Sequence, residues 1–279
     1  MRTVVNLLVC LAACAGLATA QDETFAAYVD SDVCARLMLG PITEERVTCS
    51  QDTAKEGSEP VLVRLTDNAV LVVNKHKIVK PYIGQFVQAT GETKSKTGRI
   101  KLVSVEPVPK TELVESMPGN PLLDVRDFRA EAGLYNQVRR QLAMMPYITE
   151  YDFIAFSMMG SDVILSGWTR RPNNRSEAYR RVKDIEGIGD ITNNISVLPL
   201  SSSDRRIAFE ARTRIQRLLP RYFWGSGSSI RIIVNRGNII LLGVVDRTGD
   251  SDIAYVQCRN IPGSFSVFNL LRVQGSGGE

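Results

Sequence analysis

The segment Ser161-Asp-Val-Ile-Leu-Ser-Gly-Trp168 recurs 76 positions later as Gly237-Asn-Ile-Ile-Leu-Leu-Gly-Val244. A chain that repeats itself at a fixed offset is constrained to build two copies of one unit. At that offset Gly167 falls on Gly243, Tyr179 on Tyr255, Gly187 on Gly263 and Asn193 on Asn269. Apolar positions keep the same register: Ile154 with Ile230, Phe156 with Ile232, Val182 with Cys258, Ile195 with Leu271. No gap is needed. The two copies are therefore expected to share a fold, to pack as a pseudo-symmetric pair, and to bury Val182 and Cys258 alike.

Each copy reads helix, strand, strand, helix, strand. In the first, Phe128, Glu131, Ala132, Tyr135, Val138 and Leu142 follow helical spacing until Pro146 stops the helix. Residues 150–157 and 162–168 predict a hairpin across Met159-Gly160. Asn174-x-x-Glu177 is a candidate capping box for a second helix with Ala178, Val182 and Ile185 as its buried stripe. Gly187 ends that helix and residues 191–198 supply the third strand. In the second copy Asp204 is the expected cap of a helix with the stripe Ile207, Ala211, Ile215 and Leu218, stopped by Pro220.

An αββαβ module of this size resembles the BON domain of bacterial envelope proteins. The resemblance rests on a second strand ending in glycine (Gly167, Gly243) and a second helix closing on Ile-x-Gly (Gly187, Gly263) before an Asn-containing last strand. The second copy departs from the family in its second helix, where the usual Ala-rich stretch is replaced by 250–258, and at Pro262, which stands where the first copy has Glu186. What the resemblance implies is an exported, non-enzymatic protein that contacts phospholipid membranes or envelope partners.

The first copy spans 124–199 and the second 200–274. Ahead of them, residues 25–108 hold short β-rich runs at 61–65, 69–73, 84–92 and 98–106, with 75–82 as a single helical turn between the second and third. Five short strands with that interruption predict a small barrel. The pattern Gly84-x-x-Val87-x-x-x-Gly91-Glu, a polar hairpin, then Gly98-x-Ile100-x-Leu102 resembles the OB-fold. Such barrels often bind oligonucleotides or oligosaccharides. This one is nearly neutral and poor in strand aromatics, which favours a spacer or protein-contact role. The fold class expected is thus α+β: an OB-like barrel followed by two tandem BON-like modules. Residues 109–123, with Pro118, Gly119 and Pro121, are expected to be an extended, mobile linker.

Residues 1–20 have the form of an export signal: Met1-Arg2, an apolar run, then the small-x-small site Ala18-Thr-Ala20. Leu11-Ala-Ala-Cys14 also resembles a lipobox, in which Cys14 would be lipidated; cleavage after Ala20 fits better because the apolar run continues past Cys14. Either way the expected compartment is periplasmic or extracellular, with no membrane span in the mature chain. Cys34 and Cys49, 15 residues apart, are then expected to form a disulfide, and Cys258 to be a buried free thiol.

No residues form a recognisable acid/base, nucleophile or phosphate-loop motif. With His76 the sole histidine, a His-based metal cluster or triad within one chain is excluded. Catalytic residues, cofactor and metal are accordingly all expected to be none. The net charge of +4 and the near-neutral barrel argue against nucleic acid as partner. Charge is uneven, however: residues 201–279 carry 11 Arg, no Lys and 6 acidic side chains, whereas 124–200 carry 10 basic and 10 acidic. Arg suits bidentate contact with phosphate or carboxylate. The membrane-contact candidates are Arg214 and Arg217 on the preceding helix and Arg221-Tyr-Phe-Trp224 after Pro220, since Tyr and Trp suit the headgroup layer. The competing reading lets Phe223 and Trp224 begin the next strand and fill the core. Partners are an anionic phospholipid surface or envelope proteins, with an adaptor role or an OB-centred ligand as alternatives, and self-association left open.

Overall fold

The computed structural model describes residues 22–94, 98–117, 120, 122–123, 132–224 and 228–274. The export segment, Phe128 and Glu131 lie outside the described residues. The N-terminal unit runs β1 (Glu23–Ser31), α1 (Asp32–Leu37), α2 (Glu44–Lys55), β2 (Pro60–Arg64), β3 (Val70–Val73), α3 (His76–Val79), a 3-10 turn (Lys80–Tyr82), β4 (Phe86–Lys94) and β5 (Arg99–Pro107). The five strands close into a barrel in the order β1-β2-β3-β5-β4. Side chains alternate across each strand, so Phe25, Ala27 and Val29 of β1 fill the barrel with Leu62, Leu71, Val87, Ile100 and Leu102. Tyr28, between them, points outward into a second cluster with Ala35, Val61, Val63 and Phe86.

The helical insert α1–α2 is fastened to that outer side. Cys34 in α1 is bonded to Cys49 in α2. Arg46 reaches from α2 to the fully buried Asp30 of β1, its Nε donating to Asp30 Oδ2 at 2.9 Å. Burial pushes the Asp30 carboxyl above its ordinary pKa, against the opposing pull of Arg46.

The described residues of the segment expected to be an extended linker, 109–117, 120, 122 and 123, instead fold back on the barrel, while Pro118, Gly119 and Pro121 lie outside the described residues. They form α4 (Lys110–Ser116), and Leu113, Leu122 and Leu123 join the cluster around Tyr28. Ile42 N–H donates to Leu122 O and Asn120 Nδ2 to Leu65 O. The reason is burial: three leucines gain about 1.5–3 kcal/mol each on leaving water, enough to order a short segment.

The first repeat consists of α5 (Ala132–Ala143), β6 (Phe153–Met159), β7 (Asp162–Thr169), α6 (Pro172–Lys183), β8 (Ile191–Asn193) and β9 (Ser196–Val197). The second consists of α7 (Ser202–Leu218), a 3-10 turn (Pro220–Phe223), β10 (Ile230–Asn235), β11 (Asn238–Val245), α8 (Thr248–Arg259) and β12 (Ser266–Val273). In both, the second strand is central, antiparallel to the first and parallel to the third. Both helices lie on one sheet face, so Val182 and Cys258 occupy equivalent, fully buried places.

The repeat glycines have a common cause. Gly167 and Gly243 sit at φ +116° and +115°, and a Cβ there would lie 2.0 Å from Phe153 O and 1.8 Å from Ser229 O. The first strand passes too close for any side chain. Gly187 and Gly263, at φ +89° and +86°, do not end the helices as expected: α6 stops at Lys183 and α8 at Arg259, and the glycines take the left-handed conformation in the turns that follow.

Several expectations are corrected. The 76-residue offset holds from β6 onward but becomes 77 in the first helix, where Leu134, Val138, Leu142 and Met145 take the core places of Ala211, Ile215, Leu219 and Tyr222. Leu219 is the buried residue and Leu218 is 53% exposed, because the stripe slips by one position as the helix ends. Ser201, not Asp204, caps α7; the Asp204 carboxylate instead accepts from Arg236 N and Gly237 N in the β10–β11 turn. The helix α6 begins at Pro172, two residues before the supposed cap, which leaves Asn174 buried in its first turn.

Nor do the repeats pack as a symmetric pair. Trp168 is buried against Ile233, Ile240, Leu242 and Phe268 on the outer face of the second sheet, together with Val33 of α1 and Leu198. Its counterpart Val244 is 46% exposed. The second sheet is thus covered on both faces, by its own helices and by the other two domains. At its edge, Ile232 N–H donates to Glu150 O at 2.7 Å. Asn194 joins the first repeat to the barrel: Val70 N–H donates to its Oδ1 at 3.0 Å, its Nδ2 donates to Asn68 O at 2.7 Å, and Arg36 donates to its carbonyl.

Candidate functional site

The six membrane-contact candidates lie where α7 ends and the chain turns toward β10. Pro220 cannot continue the helix, and the 3-10 turn after it carries Tyr222 back into the core, buried with Leu219 and Ile230. There the Tyr222 hydroxyl donates to Asp250 Oδ2 at 2.6 Å and accepts from Asp246 N at 2.8 Å. Burial raises the Tyr222 hydroxyl above its ordinary pKa. The Tyr222 hydrogen bond, with Arg221 behind it, holds the Asp250 carboxyl below the usual carboxylate range.

Arg221 is exposed but already paired. It pairs with Asp250, lies 3.2 Å from Asp246 Oδ2, and stacks over the Tyr222 ring at 4.8 Å. Phe223 is half-buried against the same core, with Arg212 over its ring at 5.7 Å. Arg214 donates to Glu210 at 2.8 Å and to Asn260 O at 3.3 Å. Two candidates are exposed without a charged partner among the described residues: Trp224, 69% exposed, and Arg217.

The structure adds two residues that the helical and strand patterns assign to the interior. Leu218 is exposed beside Arg217, and Val244 is exposed at the end of β11. Val244 N–H donates to Ser229 O, and Ser229 N–H to Tyr222 O, so this strand end and the aromatic turn form one end of the module. Arg272 pairs in register with Val244 and is exposed as well. That end therefore exposes Trp224, Leu218 and Val244 as apolar groups and Arg217 and Arg272 as cations. Among the described residues no group of three or more His, Cys, Asp or Glu side chains converges on one point, and no helix is long and apolar enough to cross a membrane. Cys258 is buried, and burial pushes its thiol up to about 12.

Two αββαβ modules of one topology behind a five-stranded barrel define a mixed α+β protein with a duplicated domain. Residues 131–199 and 208–275 each match the family model of the BON domain, so the chain carries two tandem BON domains after an N-terminal OB-like barrel. The two matches start 77 residues apart and end 76 apart, in agreement with the one-residue shift in the first helix. No curated protein matches the chain. Two solved structures resemble it in part, both of CdsD, a structural protein of the type III secretion system of Chlamydia trachomatis. One, the C-terminal domain, has 9% identity and a TM-score of 0.21, covering 51% of this chain and 98% of the other. The second has 10% identity and a TM-score of 0.19, covering 50% and 92%. Likenesses at such scores carry no argument about function.

Proposed function

We propose that the chain is an exported, non-enzymatic protein of the bacterial envelope whose second BON domain contacts an anionic phospholipid surface. The BON domains support the envelope setting, and the Cys34–Cys49 bond supports an oxidising compartment, reached through the N-terminal apolar segment with cleavage after Ala20. The observation that carries the membrane reading is Trp224, 69% exposed at the free end of the second BON domain. An indole with one apolar face and one N–H donor belongs at a membrane–water boundary. Arg217 and Arg272 at the same end supply attraction to anionic headgroups. Tyr222, Phe223 and Arg221 serve this surface indirectly, by fixing the turn that presents Trp224, whereas Arg214 is tied to Glu210 and Asn260 away from that turn.

Sedimentation of the mature chain with phosphatidylglycerol-containing vesicles tests the proposal. Trp224→Ser combined with Leu218→Ser is expected to weaken binding about tenfold. Arg217→Gln is expected to weaken it about fivefold and to flatten its salt dependence. Absent binding, or binding unchanged in these variants, contradicts the proposal and leaves a protein-contact role for this end of the molecule.

A further inference from the structure

A cleft of about 640 Å³ opens where the barrel, the first BON domain and the β10–β11 turn meet. Its size falls within the range of about 300–1,000 Å³ usual for small-molecule sites. One wall is the β2–β3 edge of the barrel, and the other is the third strand of the first BON domain with the first turn of α6. The electrostatics of its lining are unbalanced. Five arginines face three carboxylates, and each carboxylate is taken: Asp32 by Arg36, Asp67 by Arg64, Glu59 by Arg236. Arg99 and Arg175 remain without an acidic partner among the described residues.

Arg175 is the more telling of the two. It is half-buried, the one hydrogen bond its guanidinium makes among the described residues is to Asn193 O at 3.3 Å, and burial together with the neighbouring Arg36 charge lowers its guanidinium pKa. A cation placed beside another cation, with no carboxylate to offset it, destabilises a fold unless something anionic joins it. Two further polar atoms of the lining, Thr93 Oγ1 and Asn235 Oδ1, are buried without a hydrogen-bond partner. Such atoms are uncommon in a protein interior.

We propose that this interdomain cleft binds a small soluble molecule bearing phosphate or carboxylate groups, held by Arg175 from the first BON domain and Arg99 from the barrel. The guanidinium fork matches two oxygens of either group. Because the walls belong to different domains, the ligand also fastens the barrel to the first BON domain. The site is independent of the Trp224 end and stands or falls apart from the membrane proposal.

Isothermal titration of the mature chain with pyrophosphate, and separately with citrate, tests the assignment and tells phosphate from carboxylate. Saturable binding of at least one probe is expected, weakened about tenfold by Arg175→Gln and by Arg99→Gln. Arg180→Gln, on the exposed side of α6, leaves it unchanged. Arg99 is exposed on β5, so its variant remains informative even if Arg175→Gln disturbs folding. No saturable binding of either probe, or binding that survives Arg99→Gln at full affinity, overturns the proposal.

Discussion

In the first BON domain the backbone N–H of Arg170, just past the central strand, donates to the buried carboxylate of Asp152 at 2.8 Å. In the second, the equivalent N–H of Asp246 donates to the Tyr222 hydroxyl, also at 2.8 Å. One fold thus presents one orphan donor and satisfies it by two unrelated side chains. Asp152 also accepts from Thr149 and Thr169, drawing its supports from the loop before β6 and from β7. Tyr222 passes the bond on to Asp250 at the start of α8. The first domain has Met145 and Asn174 in those two places, and Asn174 Nδ2 is left buried without a partner.

The third strands differ in a way that bears on role. In the second domain β12 runs unbroken from Ser266 to Val273. In the first the strand is interrupted between β8 and β9, at Asn194, the residue that bonds to the barrel. Its counterpart by offset is Leu270, packed against the apolar outer face of the second sheet. Ladder continuity is given up where the domain must hold a neighbour. The shared feature, by contrast, is a side chain on the last strand that ties it to the second helix: Asn193 Nδ2 donates to Arg175 O at 3.0 Å, and Asn269 Nδ2 to Ser251 Oγ at 2.9 Å.

The sharpest way to break this comparison is at the shared glycines. Gly167→Ala and Gly243→Ala each place a Cβ against a strand carbonyl in a left-handed conformation, and each is expected to cost more than about 3 kcal/mol. Chemical denaturation should return similar losses for the two; a cost near zero in either copy would show that the close approach is not shared. Next in size are the two acceptors that differ between the domains. Asp152→Ala strands several buried donors and should cost about 2–3 kcal/mol, whereas Tyr222→Phe removes one hydroxyl and should cost about 1–2 kcal/mol. The reverse order would mean that Tyr222, not Asp152, is the acceptor on which more of its domain depends.

The repeat and its glycines are legible in the sequence because they depend on local rules: strand alternation, helical spacing, and a backbone approach that excludes a Cβ. The module ends and the docking are not. Leu218 and Leu219 are adjacent, and a one-residue slip at a helix end decides which is buried. Leu113, Leu122 and Leu123 have no period, so their burial on the barrel follows from tertiary proximity alone. Asn193 and Asn194 look alike in sequence, yet one ties its strand to α6 and the other reaches into a different domain. Of the membrane candidates, the aromatic cluster is visible as composition, but its division into an inward Tyr222 and an outward Trp224 follows from the 3-10 turn.

A smaller effect concerns pH. The Asp250 carboxyl is held below its unfolded value, so its contribution is present above the unfolded pKa of about 4 and is lost as pH falls through the lower folded value. Thermal unfolding from pH 6 down to pH 2 should show a loss in the wild type that is shallower in Asp250→Asn. Parallel curves would show that Asp250 contributes nothing to the acid sensitivity of the second domain.

The division of labour between the domains, with the first fastening the barrel, is tested most directly by hydrogen exchange at Val70. Its amide donates across the domain boundary to Asn194 Oδ1. If the first domain holds the barrel through this bond, the Val70 amide is protected in the wild type and exchanges at least about tenfold faster in Asn194→Ala, with the barrel-interior amides unchanged. An unprotected Val70 amide in the wild type, or protection indifferent to Asn194→Ala, would contradict that division.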